Sequence, residues 1–375
     1  MKKIFSLIMA AVFMITITAC DNRESIKVYL PNEYLSEDVV AEFESEYNIR
    51  VDVVPFDSNE DAISAVEDSS NSFDVIVPSD YALEEMQAKG LLEEIDYSKI
   101  TSFNKDTDLS VELKKIINKL ATDDSVSQGG FDLLKYGAPY FWGNVGIVVN
   151  KNKIDMSDIE GKGWEVLTDA MTAGKKVIMY DSSRDAFMIA LKKHFADNNI
   201  TDSTLNNPTD QQLNAAESWL SSVFKNSNSK FAVDASLDEF LVGNNSEYAL
   251  SVDYSGNAIY IMTDDEYENE NLDYYVPVDG TNIWVDAMAI PKNASNKDGA
   301  YKFINFILSK DAQELNSTDM GYTSVRQDVI DLVMSEYDYP EAYDIKVDFI
   351  KDEIFRYNSS LVDKLNQKYI SIKNS

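Results

Sequence analysis

The chain has 375 residues, 44% of them hydrophobic and 11% aromatic, too many for one ordinary core and ample for two packed lobes. Its formal charge is −32, from 65 acidic against 33 basic side chains, a field that repels nucleic acid and concentrates cations near the surface. With one cysteine and one histidine, an internal disulfide is excluded, and a thiolate metal site, a zinc centre or a Ser-His-Asp triad has too few ligands or bases.

Lys2 and Lys3 precede an apolar run from Ile4 to Ile17, and Ile17-Thr18-Ala19-Cys20 closes it. This is the form of a secretory leader over residues 1–19 with a lipoprotein box; the run is short for a membrane span. Cys20 is then the lipidated first residue, holding a soluble body at the outer face of a membrane, and loss of the two lysines takes the charge to −34.

Ser25 to Leu30 alternates as a strand and is followed by Asn32-Glu33-Tyr34. Ser36 has the character of an N-cap for a helix carrying Val39, Val40, Phe43 and Tyr47. Arg50 to Pro55 predicts a second strand, about Asp61 to Glu67 a helix, and Phe73 to Pro78 a buried strand, giving β-α-β-α-β. Ser79-Asp80-Tyr81 comes directly after that strand, and in open α/β sheets ligands bind just beyond such carboxyl ends. Residues 101–130 are polar and poorly periodic and predict an irregular excursion.

Order returns at Tyr136 to Gly143 and a strand through Ile147, a crossing into a second lobe. A helix near Trp164 to Ala173, the strand Lys176 to Tyr180 and the turn Asp181-Ser182-Ser183-Arg184-Asp185 follow, the turn opening a helix through His194. His194 on that helix reads as an exposed or capping residue. Thr209 to Phe224 is an amphipathic helix with Trp219 expected in the core, and Tyr248 to Val252 a strand running into Asp253-Tyr254-Ser255-Gly256-Asn257, a turn before a helix. The acidic run Asp264 to Glu270 reads as a solvated loop, and Leu272 to Val276 as a strand. In Asn282 to Pro291, extended backbone puts Trp284 and Asp286 on one face. An indole beside a carboxylate is a poor pairing for a dry core and a good one for an organic cation, although a packed Trp with a solvated Asp satisfies the same pattern. The last fifty residues read as helical closure.

Several stretches together resemble the spermidine/putrescine-binding family of ABC importers. They are Glu33-Tyr34 before Val39-Val40-Ala41-Glu42-Phe43, Phe73 through Tyr81, Pro139-Tyr140-Phe141-Trp142-Gly143, Ser255-Gly256-Asn257-Ala258, and Trp284 through Pro291 with Ala300 to Phe306. The resemblance implies an α/β, two-lobed, type II periplasmic-binding-protein fold with a ligand cleft between lobes. The expected division is residues 26–137 plus 286–325 for lobe 1 and 138–285 plus 326–375 for lobe 2. It further implies a polyamine held by Glu33, Tyr34, Ser79, Tyr81, Asp185, Tyr254, Trp284, Asp286 and Tyr322, with Asn32, Asp80, Ser182, Asn257 and Glu353 as further candidates. Pro31, Ser182 and Asn257 depart from the family, which commonly has Trp, Asp in spermidine binders and Asp in putrescine binders there. The implied partners are the polyamine, a permease with its ATPase, and the membrane through Cys20; the chain is expected to be a monomer with no cofactor, no metal and no enzymatic activity. Competing readings are a receptor for another small solute such as a sugar, a glycoside hydrolase using two of Asp181, Asp185 and Asp286, and an adhesive lipoprotein.

Overall fold

The computed structural model describes residues 23–375 apart from residue 203 and the segments 234–239, 241–245 and 264–268. Cys20, the leader and most of the acidic run Asp264 to Glu270 therefore lie outside the described residues.

The first sheet is small and parallel, in the order β2-β1-β3, built from β1 (Ser25–Pro31), β2 (Arg50–Phe56) and β3 (Val75–Ile76). Parallel neighbours need crossovers, and helices Glu37–Tyr47 and Asn59–Glu67 supply them. The first buries Val39 and Phe43 and stops at Asn48, whose φ of 53° is the left-handed conformation that Asn tolerates. Ser58 caps the second by accepting from the Asp61 amide at 3.1 Å. Ser36 occupies the N-cap position of the first without capping it: its hydroxyl donates to Asp319 and its amide to Asn316 Oδ1. A residue expected to serve its own helix thus docks that helix onto Lys310–Met320.

The larger sheet runs β11-β9-β4-β7-β5-β6, with β8 and β10 also pairing β4. Its members are β4 (Ala138–Asn150), β5 (Lys176–Tyr180), β6 (Ser229–Ala232), β7 (Tyr248–Tyr254), β8 (Leu272–Tyr275), β9 (Asn282–Met288), β10 (Thr323–Ser324) and β11 (Glu353–Ile354). β4 is buried along all 13 residues and acts as the axis. Its first half pairs antiparallel with β9, from Ala138 opposite Met288 to Asn144 opposite Ile283, and its second half with β7. Just past β9 the chain also meets the small sheet, where the amides of Ile76 and Ala289 exchange hydrogen bonds of 2.9 and 2.8 Å. β9 therefore joins both sheets.

Four further expectations need correction. Residues 101–130 are not merely irregular: Val111–Thr122 is a helix, capped by Ser110 and burying Leu113, Ile116, Ile117 and Leu120 at i, i+3, i+4 and i+7. The closing fifty residues include the strand β11, parallel to β9, because an apolar Ile354 has a sheet edge to fill. Tyr254 passes directly into helix Ser255–Thr263 without an intervening turn. Trp219 is only half-buried at the core's margin, and His194 is half-buried on its helix.

The buried Arg356 ties the excursion, helix Asp80–Ala88 and the C-terminal segment together. It donates to Glu84 through Nε (2.9 Å) and Nη2 (2.7 Å), to the Asp123 carbonyl (3.2 Å) and to the Gly129 carbonyl (2.6 Å). Breaking one partner of a buried pair strands the other's charge, so Arg356→Met should lower unfolding stability by about 3–5 kcal/mol in urea titration. Adding Glu84→Leu to it should restore part of the loss, because Glu84 then leaves no stranded charge and Asp123 keeps Lys119 at 3.5 Å, although the Tyr357 amide loses its acceptor.

Candidate functional site

The parallel strands deliver their carboxyl ends to one region. β1 leads to Tyr34, β3 to Ser79, Asp80 and Tyr81, β5 to Asp181 through Asp185, and β7 to Tyr254. β9 runs beneath with Trp284 and Asp286, and Tyr322 arrives in the two residues between helix Lys310–Met320 and β10.

Asp286 is 5% exposed. Its Oδ2 accepts the Tyr34 hydroxyl at 2.7 Å, while Oδ1 is buried with no hydrogen-bond partner. No lysine, arginine or histidine among the described residues forms an ion pair with it. Burial pushes its pKa up to about 6, against the opposing influence of the Ser79 and Tyr34 hydroxyls. Its placement is enforced from the neighbouring residues: the Val285 amide donates to Asp80 Oδ2 at 3.1 Å, and Ser79 and Asp286 form a backbone bridge. Asp80 also accepts the Tyr81 amide at 2.7 Å, so this buried acid locks β9 to the start of helix Asp80–Ala88 and its carboxyl is committed to backbone.

A second buried acid, Asp185, lies at the first turn of helix Ser183–Asp197. Its Oδ2 accepts the Tyr254 hydroxyl at 3.2 Å, and burial raises its pKa, with Ser182, Tyr254 and the Arg184 guanidinium opposing. Ser182 caps that helix by accepting from the Asp185 amide.

Between the two acids runs a continuous set of rings. Tyr254 meets Trp284 edge-on with centroids 5.9 Å apart, Trp284 meets Tyr322 at 5.7 Å, and Tyr322 meets Tyr34 at 4.8 Å. Phe141 stacks on Tyr322 at 5.7 Å and closes against Tyr34 at 5.4 Å. These separations and tilts are those that ring quadrupoles favour. Two glycines make the packing possible. A Cβ on Gly256 would sit 2.1 Å from Tyr322 Cδ1, and one on Gly143 would sit 2.5 Å from Trp284 Cζ2. Trp284 Nε1 is also buried without a partner. The Tyr322 hydroxyl donates to Asn257 Oδ1 at 2.7 Å, and Asn257 Nδ2 donates to Asp253 at 2.9 Å, which fixes the amide's orientation.

Of the sequence-predicted residues, Tyr34, Asp185, Tyr254, Trp284, Asp286 and Tyr322 come together, with Asn257, Ser182 and Ser79 at the margin. Ser79 is half-buried and shares reciprocal hydrogen bonds of 3.0 Å with Asn59. Asn32 and Glu33 are exposed, and Glu33 has a φ of 51°, so the tight turn after β1 turns this expected contact outwards. Glu353 is placed elsewhere: on β11 it accepts Lys192 Nζ at 2.5 Å and the Leu205 amide at 2.8 Å, a structural commitment. Asp181 is held by Lys373 Nζ and the Tyr369 hydroxyl, each at 2.8 Å, which removes it from a catalytic pair with Asp185. Tyr81 carries the Arg184 guanidinium 3.8 Å above its ring. Arg184, Phe141 and the two glycines lie in stretches singled out from sequence but carry no site role in that reading; an arginine set in an acidic turn is the visible signal for the first.

Residues 38–342 match the family model described as bacterial extracellular solute-binding protein. The spermidine/putrescine-binding periplasmic protein of Escherichia coli K12 is 27% identical over 333 residues, spanning 87% of this chain and 86% of that one. Among solved structures, the spermidine/putrescine ABC transporter substrate-binding protein of Streptococcus pneumoniae superposes with a TM-score of 0.71 at 26% identity, over 93% of this chain and 98% of that chain. Maltose-bound MalE3 of T. maritima, at 14% identity, shares the fold with a TM-score of 0.70 over 93% of this chain and 95% of its own. With two helix-flanked sheets joined by a crossing strand and this family match over most of its length, the chain belongs to the bacterial extracellular solute-binding proteins and has their type II periplasmic-binding fold.

Proposed function

We propose that this protein binds a polyamine, spermidine or putrescine, between lobe 1 (26–137 with 286–325) and lobe 2 (138–285 with 326–375), and passes it to an ABC permease without chemical turnover. The body is a monomer held at the outer membrane face by lipid on Cys20. The observation that carries the ligand assignment is the aromatic run from Tyr254 to Tyr34 with a buried carboxylate at each end. The polyamine-binding names of the relatives point the same way.

A polyamine is a methylene chain with separated ammonium groups. Dehydrating an ammonium costs several kcal/mol unless a carboxylate meets it, whereas methylenes and cations both gain against ring faces. In this reading one ammonium donates to Asp286 Oδ1, the other meets Asp185, and Trp284, Tyr322 and Tyr34 flank the carbons. The cluster is buried, so the ligand enters when the lobes part and is enclosed when they close, a hinge transition.

Asp286 separates a binding role from a structural one. Its carboxyl holds a proton more tightly in the folded chain than in the unfolded one, so between about pH 4 and pH 6 stability falls as pH rises, and at neutral pH the buried charge is a cost. The shift corresponds to a cost on the order of 3 kcal/mol. Asp286→Asn should therefore raise the melting temperature of the ligand-free protein at pH 7.5 while weakening putrescine and spermidine binding at least a hundredfold by calorimetry. A destabilised variant with intact affinity would refute the assignment.

Acid should act in the same direction. Lowering the pH from 7.5 to 5 protonates Asp286, so calorimetric polyamine affinity should fall about tenfold, with net proton release on binding near pH 6. Asp286→Asn should lose that release. Maltose serves as the control and should give no heat at any pH.

A further inference from the structure

Two side chains of helix Asp80–Ala88, Tyr81 and Glu84, lie three residues apart, and each meets an arginine from the large sheet's layer. The two contacts differ in their access to water. Arg356, just after β11, is wholly buried on Glu84, which also accepts the Tyr357 amide at 3.0 Å. Parting that pair would strand two charges, so it is a joint that stays made and about which the layers turn. Arg184, in the first turn of helix Ser183–Asp197, is 11% exposed. Its guanidinium lies 3.8 Å over the Tyr81 ring, which Phe355 meets edge-on at 6.4 Å, and its Nε reaches Glu60 Oε1 at 3.4 Å. Tyr81 and Glu60 sit on helices that follow β3 and β2 of the small sheet, so this contact also crosses the layers. Drawn off the ring, the guanidinium and the half-exposed Glu60 return directly to water, and the contact can be made and broken at small cost.

We propose that Arg184 is a clasp between the lobes: it lies down on the Tyr81 ring as they close and slows their parting, so that it sets how long a bound polyamine stays and leaves the choice of polyamine to the acids and rings. This rests on the polyamine and hinge reading above, in which Arg184 belongs to lobe 2 and Tyr81 and Glu60 to lobe 1. Arg suits the role better than Lys because its plane stacks on a ring while its edge remains able to donate. The clasp does not close the empty site unaided, since closure also buries the unpartnered oxygen of Asp286. The sign of its effect separates it from a merely electrostatic role. A cation beside Asp185 repels an ammonium group there, so an arginine acting only through its charge would weaken binding, and its removal would slow release. Removal of a clasp speeds release.

Stopped-flow tryptophan fluorescence with putrescine and with spermidine tests this, with calorimetry to establish binding and thermal melts to verify folding of each variant. Arg184→Gln and Arg184→Met should each release both polyamines about tenfold faster, the size of one desolvated cation–π contact. Their association rates should stay within about threefold of wild type, and the ratio of the two dissociation constants should not move. Arg184→Lys, which keeps the charge without the plane, should release about threefold faster. Tyr81→Leu should also speed release, and adding it to Arg184→Gln should bring little further change, because the two side chains act as one contact. Release that is unchanged or slower in a folded neutral variant, or effects that add fully in the double variant, overturns the clasp and leaves polyamine binding intact. Should neither neutral variant fold, Tyr81→Leu with release no faster than wild type overturns it. Wild type that binds neither polyamine by calorimetry fails the polyamine reading, and this inference falls with it.

Discussion

A carboxylate enclosed by aromatic rings with no cation of its own is the constraint around which the rest of this fold is arranged. Asp286 lies almost wholly out of water, one oxygen on the Tyr34 hydroxyl and the other unpartnered, and burial alone moves its pKa to about 6. A folded chain holds such a group only where neighbouring elements over-determine its position. The over-determination is visible in β9. It pairs with β4 on one side and β11 on the other, is followed by Ala289, which exchanges backbone bonds with Ile76, and is pinned at Val285 by the buried Asp80.

The same strand shows how, in the proposed hinge transition, the site would be coupled to movement of the layers. β4 and β9 belong to the large sheet, yet the end of β9 continues into the small one through Ala289. Rings contributed by Tyr34, Trp284, Tyr322 and Tyr254 therefore come from both layers and meet only in this arrangement. Separating the layers would break ring contacts and expose Asp286 to water, lowering the cost of its charge. Bringing them together restores that cost unless a cation enters. Closure and cation binding are coupled by electrostatics in this scheme, without any requirement for a signalling path through the core.

Much of the scaffold was legible because its signals are periodic. Lys176 to Tyr180 appears as a strand at those residues, and Thr209 caps a helix through Phe224, because alternation and capping are local properties. The pairing of Trp284 with Asp286 on one face followed from strand geometry alone. What escaped depends on tertiary partners. The helix Val111–Thr122 carries its four apolar residues at helical spacing, but the lysines and asparagine between them masked the stripe. Ser36 has the residue type of a cap and spends its hydroxyl on Asp319, a choice that only the approach of another helix determines. Glu33 directly precedes a true member of the cluster, and a left-handed turn sends it to solvent. The glycines at 143 and 256 matter because of the rings that crowd them, information carried by no residue nearby in sequence.

In so acidic a chain, the abundance of carboxylates says little about which of them meet a ligand. The internal cations sort them. Glu84 is neutralised by Arg356, Glu353 by Lys192 and Asp181 by Lys373, and each of these acids holds one segment of chain to another. Asp80 is satisfied by two backbone amides. Among the described residues Asp286 has neither cation nor backbone donor on its carboxyl, and the one cation acting on Asp185 is its neighbour Arg184, itself engaged with Tyr81 and Glu60. Both acids accept a tyrosine hydroxyl, a weak partner for a full negative charge, and both have raised pKa values as a result of burial. An ion pair completed from within would have stabilised the closed form permanently; a pair left incomplete makes closure conditional on a cation supplied from outside. Under the proposed polyamine reading, selectivity for a cationic solute follows from withheld neutralisation at two positions, with the surrounding rings spacing the two charges.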